Sequence, residues 1–326
     1  MEKVIAVVVT YNRKKLLSEC IDALRGQTRT VDHILVINNG SNDDTENWLK
    51  QQKDIEFFTQ SNIGSGGGFN TGIELANRKD FDWIWLMDDD GFPKEDALEK
   101  LLENDTEELC LRNCAVINKE DKKSFVWKTG NYLSIDEVKE SVIKNVAHPF
   151  NGTLLHKKII AKVGLPKKEL FIWGDETEYY YRIIRKNKIP FYTKANSIHY
   201  HPASAYSYKN DWAFSSNWKM YYYVRNRFFI LKTKFSQSKF IALAMYLVFL
   251  IAFAGAVVVF QKTNKFKKLS FILWPMRDAF ASNYNATPTF ILERLSSAQY
   301  NLGAYIIFRI KILKGLFSAP APSSLQ

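Results

Sequence analysis

Three consecutive carboxylates, Asp88-Asp89-Asp90, follow directly on the apolar run Trp83-Ile84-Trp85-Leu86-Met87. Acids crowded at the end of a buried-looking strand repel one another unless a cation lies among them. A divalent Mg²⁺ or Mn²⁺ prefers hard oxygen ligands and bridges one or two carboxylates to a substrate diphosphate. Residues i and i+2 at a strand end point the same way, so Asp88 and Asp90 are the pair able to share a metal. Such an ion would stabilise the charge growing on a departing nucleotide diphosphate. The competing reading is an acidic turn open to solvent.

A second acidic cluster, Phe171-Ile172-Trp173-Gly174-Asp175-Glu176-Thr177-Glu178-Tyr179, suits proton transfer. A transfer of a group onto a hydroxyl acceptor needs a base for the hydroxyl proton. Asp175 or Glu176, beside Trp173, can fill that role, and Glu178 is expected to hold a neighbouring loop or Arg182. A plain helix start, with acids favourable to the dipole, accounts for the same residues structurally.

Between the two clusters in chemical character lies Asn62-Ile63-Gly64-Ser65-Gly66-Gly67-Gly68-Phe69-Asn70-Thr71-Gly72. Bare backbone at a helix N-terminus suits phosphate or sugar hydroxyls. The pattern is neither a Lys-containing P-loop nor a dinucleotide fingerprint. His199 and His201, in His199-Tyr200-His201-Pro202 after an expected short strand, either complete a metal shell, hold the diphosphate, or are satisfied structural histidines.

These groups need a scaffold, and the apolar pattern supplies one. Val4–Val9 is a continuous β-branched run, the mark of a parallel strand covered on both faces. Helical spacing of Leu16, Leu17, Cys20, Ile21 and Leu24 predicts a helix over 14–25. Strands at 33–37, 55–59 and 83–87 alternate with helices at 45–52 and from about Phe69. Strand–helix alternation of this kind implies a parallel sheet with helices on both faces. Thr10-Tyr11-Asn12-Arg13, the Asn38–Asp44 segment, the glycine loop and the Asp triplet each follow a strand. Ligands of such sheets bind outside the carboxyl ends of the strands, so four polar loops on one edge mark a binding site. Residues 100–113 read as a loop or helix, 115–128 as short strands, 151–155 as a strand and 157–163 as a helix.

The charge is unevenly spread. Residues 212–326 hold 15 Lys/Arg against two acids, Asp278 and Glu293, a net of +13, which leaves 30 basic and 32 acidic residues in 1–211. Phe240–Phe260 runs for 21 residues without a charge, with Lys232, Lys234 and Lys239 before it and Lys262, Lys265, Lys267 and Lys268 after. A helix of that length, at roughly 1.5 Å per residue, matches the bilayer core. Basic and apolar together point to anionic lipid, and no nucleic-acid-binding motif is present. The segment either spans or stays on one face, unless it is the core helix of a soluble protein. A further amphipathic stretch at 290–316 suits the membrane interface. Three cysteines, Cys20, Cys110 and Cys114, form no even disulfide framework, and the N-terminal apolar run is too short for a signal peptide. The expected location is the cytoplasmic face of the cell membrane.

In this order the motifs resemble the inverting family 2 glycosyltransferases of GT-A fold, over roughly residues 3–230. Thr10-Tyr11-Asn12-Arg13 resembles the family's opening nucleotide-binding loop, and Asn38-Asn39-Gly40-Ser41 its Asp-Asn-Gly-Ser turn, with Asn38 where the base-contacting acid would stand. Asp88-Asp89-Asp90 resembles the metal-binding triplet, and Gly174-Asp175-Glu176-Thr177-Glu178 is similar to the Glu-Asp-x-Asp catalytic segment, with Glu176 at the position of the base. The resemblance implies a donor site built from Thr10, Tyr11, Asn12, Arg13, Asn38, Asn62, Gly64, Gly67, Asn70 and Asp89. Asp88 and Asp90 are the metal ligands it implies, and His201 and His199 join them as expected ligands on the reading of the residues given above.

Asn-Ile-Gly-x-Gly-Gly-Gly-Phe, the full Asp triplet and Trp-Gly-Asp-Glu look most like galactofuranosyltransferases, with rhamnosyltransferases close behind. UDP-galactofuranose or dTDP-rhamnose is the implied donor. Tyr222-Tyr223-Val224-Arg225-Asn226 resembles a segment before the membrane-associated tails of capsule, O-antigen and cell-wall transferases. The acceptor would then be polyprenyl-diphosphate-linked or polysaccharide. The expected organisation is a GT-A domain at 1–210 and a basic helical region at 211–326 with its membrane segment at 240–260. Two rivals are a non-catalytic glycan- or nucleotide-binding subunit, which would have lost some of these acids, and a nucleotidyltransferase. The latter would want basic residues in a glycine-rich loop after the first strand, which Tyr11-Asn12-Arg13 does not supply.

Overall fold

The computed structural model describes residues 2–106, 109–202 and 209–296. The chain divides into two compact units, Met1–Ala205 with Ile230–Ala242, and Tyr206–Phe229 with Leu243–Gln326.

The first unit is a mixed α/β sheet. Its strands in chain order are β1 (Val4–Thr10), β2 (His33–Asn38), β3 (Ile55–Thr59), β4 (Trp83–Asp88), β5 (Phe92–Pro93), β6 (Leu111–Asn118), β7 (Ser124–Thr129), β8 (Tyr132–Ser134), β9 (Val142–Lys144), β10 (Thr153–His156) and β11 (Phe191–His201). The main path runs β3-β2-β1-β4-β10-β6-β11-β5. β3, β2, β1 and β4 are parallel, as their continuous apolar runs predict, whereas β10 enters antiparallel between β4 and β6. The sheet is therefore mixed: β10 is antiparallel to both its neighbours, and beyond it β11 pairs parallel with β6.

Alternation along β1 divides the core. Val4, Ala6 and Val8 pack with Leu17, Cys20, Ile21 and Leu24 of α1 (Lys14–Arg25) and Leu49 of α2 (Thr45–Gln51). Ile5, Val7 and Val9 pack with Phe69, Ile73 and Ala76 of α3 (Gly64–Asn77), and the same cluster takes Ile159 and Ile160 of α5 (Lys157–Val163). Burying each such side chain contributes on the order of 2 kcal/mol. The parallel register sets Thr10 beside Asn38 and Val9 beside Asp88, so the loops after β1, β2 and β4 leave the sheet at one level.

α3 begins at Gly64, five residues earlier than the apolar pattern suggests, because its glycines lie inside the helix. A Cβ on Gly68 would collide with Val9, and one on Gly72 with Val7. Their absence lets the helix lie close on β1. Between 97 and 181 the remaining helices are α4 (Ala97–Leu102) and α6 (Asp175–Tyr181), together with α5.

The second unit is helical, with parts of α7 (Lys219–Lys234) and α8 (Lys239–Phe260), then α9 (Lys265–Phe271), α10 (Leu273–Phe280) and α11 (Pro288–Ser296). Its interior is aromatic but carries buried polar pairs. The Tyr221 hydroxyl donates to Asp278 at 2.6 Å, and Tyr222 donates to the Ala286 carbonyl at 2.7 Å. The uncharged segment 240–260 falls within α8. Of the amphipathic stretch expected at 290–316, α11 is the part described, and 297–316 lies outside the described residues.

Candidate active site

The polar loops at the carboxyl edge are tied together by hydrogen bonds. The Asn12 backbone, at φ +54°, donates to Ser41 Oγ at 2.9 Å, while Asn12 Oδ1 accepts from the Asn42 N–H at 2.7 Å. Asn38 is fully buried and closes its own turn, Oδ1 accepting from the Ser41 N–H at 3.1 Å. Asn39 donates to the Gly64 carbonyl at 2.9 Å and so joins the β2 turn to α3. Tyr11 stands exposed beside them.

Within the Asp triplet the three acids have different partners. Asp89 is buried; its carboxylate accepts from Thr10 Oγ1 at 2.7 Å and from Arg13 at 3.1 Å. Burial raises it to about 6, although Arg13 and Thr10 pull the other way. Asp90 accepts from Arg13 at 2.7 Å and lies 3.2 Å from His201 Nε2. Burial opposes its ionisation, but the His201 and Arg13 contacts outweigh that and hold the carboxyl below its usual range. The Asp88 carboxylate accepts no hydrogen bond from the described residues. Burial pushes it well above the ordinary range, and the charges of Asp90, Asp89 and Glu176 push the same way against Arg13.

Among the described residues no three or more His, Cys, Asp or Glu side chains converge as a ready-made metal cage. Asp88 nevertheless sets beside Asp90 a carboxyl group that accepts no hydrogen bond from the described residues, and its raised range is what a bound cation would relieve. One or two carboxylates completed by substrate phosphates and water are a common Mg²⁺ set, and this pair fits it.

His201 sits at this edge, and Trp127 of β7 packs against its ring at 5.0 Å. His199 does not share that access. It is wholly buried where a Cβ on either Gly91 or Gly152 would meet its ring, and neither ring nitrogen has a partner among the described residues. Burial lowers it to about 3, so it is a neutral imidazole at physiological pH. Of the two histidines expected near a metal, the structure opens only His201 to the edge.

The glycine segment departs from expectation. The Gly66 N–H, in the first turn of α3, donates to the Phe171 carbonyl at 3.0 Å, and the Gly64 N–H donates to Asn62 Oδ1 at 3.0 Å. Gly64 has φ +79°, and a Cβ there would strike that same carbonyl; one on Gly67 would strike Ile63. The Asn70 amide donates to the Pro166 carbonyl at 2.7 Å. Gly64, Gly66, Gly67 and Asn70 thus serve close packing and loop anchoring. The Gly64 backbone donor, expected to face phosphate, is already used, as is that of the neighbouring Gly66.

What α3 receives is the second acidic cluster. Phe171, Trp173 and Gly174 all have positive φ (68°, 55° and 126°), a strained approach to α6 that is anchored by the contacts of Phe171 with α3. Asp175 is fully buried; Oδ2 accepts from Ser65 Oγ at 3.0 Å and Oδ1 has no partner. Burial, reinforced by the charge of the neighbouring Glu176, pushes the Asp175 carboxyl well up. Glu176 is only half-buried and accepts from the Gly174 N–H and Thr177 Oγ1, both at 3.2 Å. Glu178 is structural, as its spacing to Arg182 implies. Its buried carboxylate meets Arg182 and Lys167, both at 3.0 Å, and Thr233 at 2.8 Å.

Ser65, Asn39, Ser41 and Trp127 were not among the expected site residues. Asn39, Ser41 and Ser65 lie within motifs that do not single them out; a Trp on a hairpin carries no sequence signal.

The family profile "Glycosyl transferase family 2" matches residues 5–156. Galactofuranosyltransferase GlfT1 of Mycobacterium tuberculosis is 32% identical over 222 residues, 64% of this chain and 73% of that protein. The GalNAc(5)-diNAcBac-PP-undecaprenol beta-1,3-glucosyltransferase of Campylobacter jejuni is 25% identical over 224 residues, 60% of this chain and 70% of that protein. Among solved structures, S. aureus TarS 1-349 in complex with UDP is similar with TM-score 0.53 at 13% identity, covering 92% of this chain and 93% of that one. GalNAc-T7 with UDP, GalNAc and Mn²⁺ gives TM-score 0.50 at 15% identity over 62% of this chain, which spans 43% of that protein. Such structures share the GT-A plan seen here: a mixed sheet whose polar loops gather at one edge. With a relative this similar over most of its length, the chain belongs to glycosyltransferase family 2.

Proposed function

We propose that the chain transfers galactofuranose from UDP-galactofuranose, with inversion, onto a lipid-linked or cell-surface polysaccharide acceptor. The reading is carried by the attachment of the second acidic cluster to the carboxyl edge: Asp175, next to Glu176, accepts from Ser65 at the start of α3, and the same helix start is joined to the β2 turn by the Asn39–Gly64 bond. A candidate base and a candidate diphosphate site thereby belong to one constellation.

In this mechanism Glu176 takes the proton of the acceptor hydroxyl. The oxygen attacks the anomeric carbon, forming the new C–O bond as the bond to the nucleotide diphosphate breaks. General-base catalysis of this kind contributes about 10²–10⁴-fold. Asp175 is less suited to the same task because it is wholly buried and accepts from Ser65 inside the fold. That bond fixes it, while Glu176 is held by the Gly174 N–H and Thr177. Mg²⁺ or Mn²⁺, held by Asp88 and Asp90 with His201 beside Asp90, would neutralise charge on the leaving diphosphate. Arg13 holds Asp89 and Asp90 in place, and the Asn12, Asn38 and Asn62 turns form the nucleotide side of the pocket.

GlfT1's name supports galactofuranose, and the glucosyltransferase's name supports an undecaprenyl-diphosphate-linked acceptor. The basic, apolar C-terminal region would hold the enzyme at the cytoplasmic face of the membrane, where such acceptors lie.

Thermal shift with Mn²⁺ against UDP-galactofuranose, other UDP-sugars and dTDP-rhamnose tests the donor. Selective stabilisation by UDP-galactofuranose is expected. A response to dTDP-rhamnose alone would make the chain a rhamnosyltransferase, and silence toward every nucleotide sugar would favour a non-catalytic binding protein of this fold.

A further inference from the structure

α8 has the length and composition to cross a membrane, but its packing argues for another arrangement. Within the helical unit, Tyr246, Leu250, Phe253 and Val257 recur every three or four residues and are buried. Their neighbours belong to polar-containing or short helices. Tyr246 donates to the Val224 carbonyl at 3.2 Å and its ring meets Phe228 and Phe280; Phe253 and Phe249 meet Tyr223. α7 also carries the buried Arg225 and Asn226, and α10 carries the buried Asp278. α9 and α10, at 7 and 8 residues, cannot span a bilayer.

The packed stripe occupies the middle of the helix, the part a spanning segment would place at the bilayer centre. Spanning would require either stripping away these partners or drawing buried charged groups into hydrocarbon, which is costly. The opposite face has no such conflict. Leu247, Val248, Ile251, Val258 and Val259 are exposed, Ile251 at 74% and Val259 at 69%. The end of α8 is pinned by a polar network: Lys268 donates to Asp211 at 2.6 Å and to Gln261 at 3.0 Å. Beyond it Phe266, 89% exposed, stands among exposed Lys262, Lys265 and Lys267.

We infer that α8 lies in the plane of an anionic bilayer. Its unpacked face enters the acyl boundary, and the lysines around Phe266 meet lipid headgroups. Apolar burial plus attraction to anionic lipid is the physical basis of such interfacial helices. The inference deepens the proposed membrane location and rests on it, while being independent of donor and base.

The test uses the full-length protein and vesicles of phosphatidylcholine alone or with about one third phosphatidylglycerol, a fraction set to supply the anionic surface. Wild type should float with the anionic vesicles at least tenfold better than with neutral ones. Ile251→Lys with Val258→Lys, both on the exposed face, should abolish flotation while thermal melting and donor binding in solution stay unchanged. Depth-sensitive fluorophores attached at Leu247→Cys, Ile251→Cys and Val258→Cys should report one shallow depth. A deep Ile251 with a shallower Val258 would mean a spanning helix and overturn the inference. Flotation unaffected by the double variant would also overturn it. So would a soluble dimer that the variant dissociates, which would assign the face to a second copy of the chain. None of these outcomes depends on turnover, so they are distinguishable from failure of the proposed reaction.

Discussion

Thr10 donates its hydroxyl hydrogen to the Asp89 carboxylate at 2.7 Å, inside the edge where β1 and β4 end. With Arg13, which also holds Asp90, this bond occupies the middle acid of the triplet internally, whereas Asp88 accepts no hydrogen bond from the described residues. Removing the donor would leave a buried carboxylate under-satisfied, at a cost of about 1–3 kcal/mol. Thr10→Val is therefore expected to lower urea-unfolding stability by that amount, and Thr10→Ser to restore most of it.

Glu176 and Asp175 should separate by what they affect. Glu176→Gln is expected to reduce turnover by about 10²–10⁴-fold, the range for a lost general base, with donor affinity unchanged. Asp175→Asn keeps the volume and the Ser65 contact of a buried group that does not take the acceptor proton, so its turnover should fall less. Steady-state rates beside donor titrations check both; equal loss of donor affinity in the two variants would mean the roles are misassigned.

Gly64→Ala combines an unfavourable positive φ with a clash against the Phe171 carbonyl. The expected loss is about 2–5 kcal/mol, summing left-handed strain and overpacking. Chemical unfolding measures it, and a neutral result would show that the α3 contact with the 171–174 segment is not tight.

Burial pushes His148 down to about 4, and Trp127 and Thr129 contact its ring. The unfolded chain takes this proton near pH 6.5, as an unperturbed histidine does. Between pH 6.5 and 4 the unfolded state therefore binds a proton that the folded state refuses, and stability falls as pH falls. His148→Gln should make the decline in melting temperature across that window shallower. Some slope should persist, because burial lowers His156 and His199 in the same direction.

The parallel half of the sheet was legible because β-branched runs at 4–9 and 33–37 and the Leu/Ile spacing of α1 have unambiguous periods. The antiparallel entry of β10 was not, since four buried residues carry no sign of strand direction. Helix α3 was placed late because glycines read as loop, whereas here they admit close contact with Val7 and Val9. The acids of the site stood out by their chemistry. Their division of labour did not: the burial of Asp89, Asp175 and His199 depends on Thr10, Ser65, Gly91 and Gly152, which lie far away in sequence.

The central claim is metal-dependent use of UDP-galactofuranose at the Asp88–Asp90 edge. Its most direct test is titration of the full chain with UDP-galactofuranose, with and without Mn²⁺, in wild type and Asp88→Asn. Tight binding that requires both Mn²⁺ and Asp88 is predicted. Equal affinity in the variant, or in metal-free wild type, would contradict it.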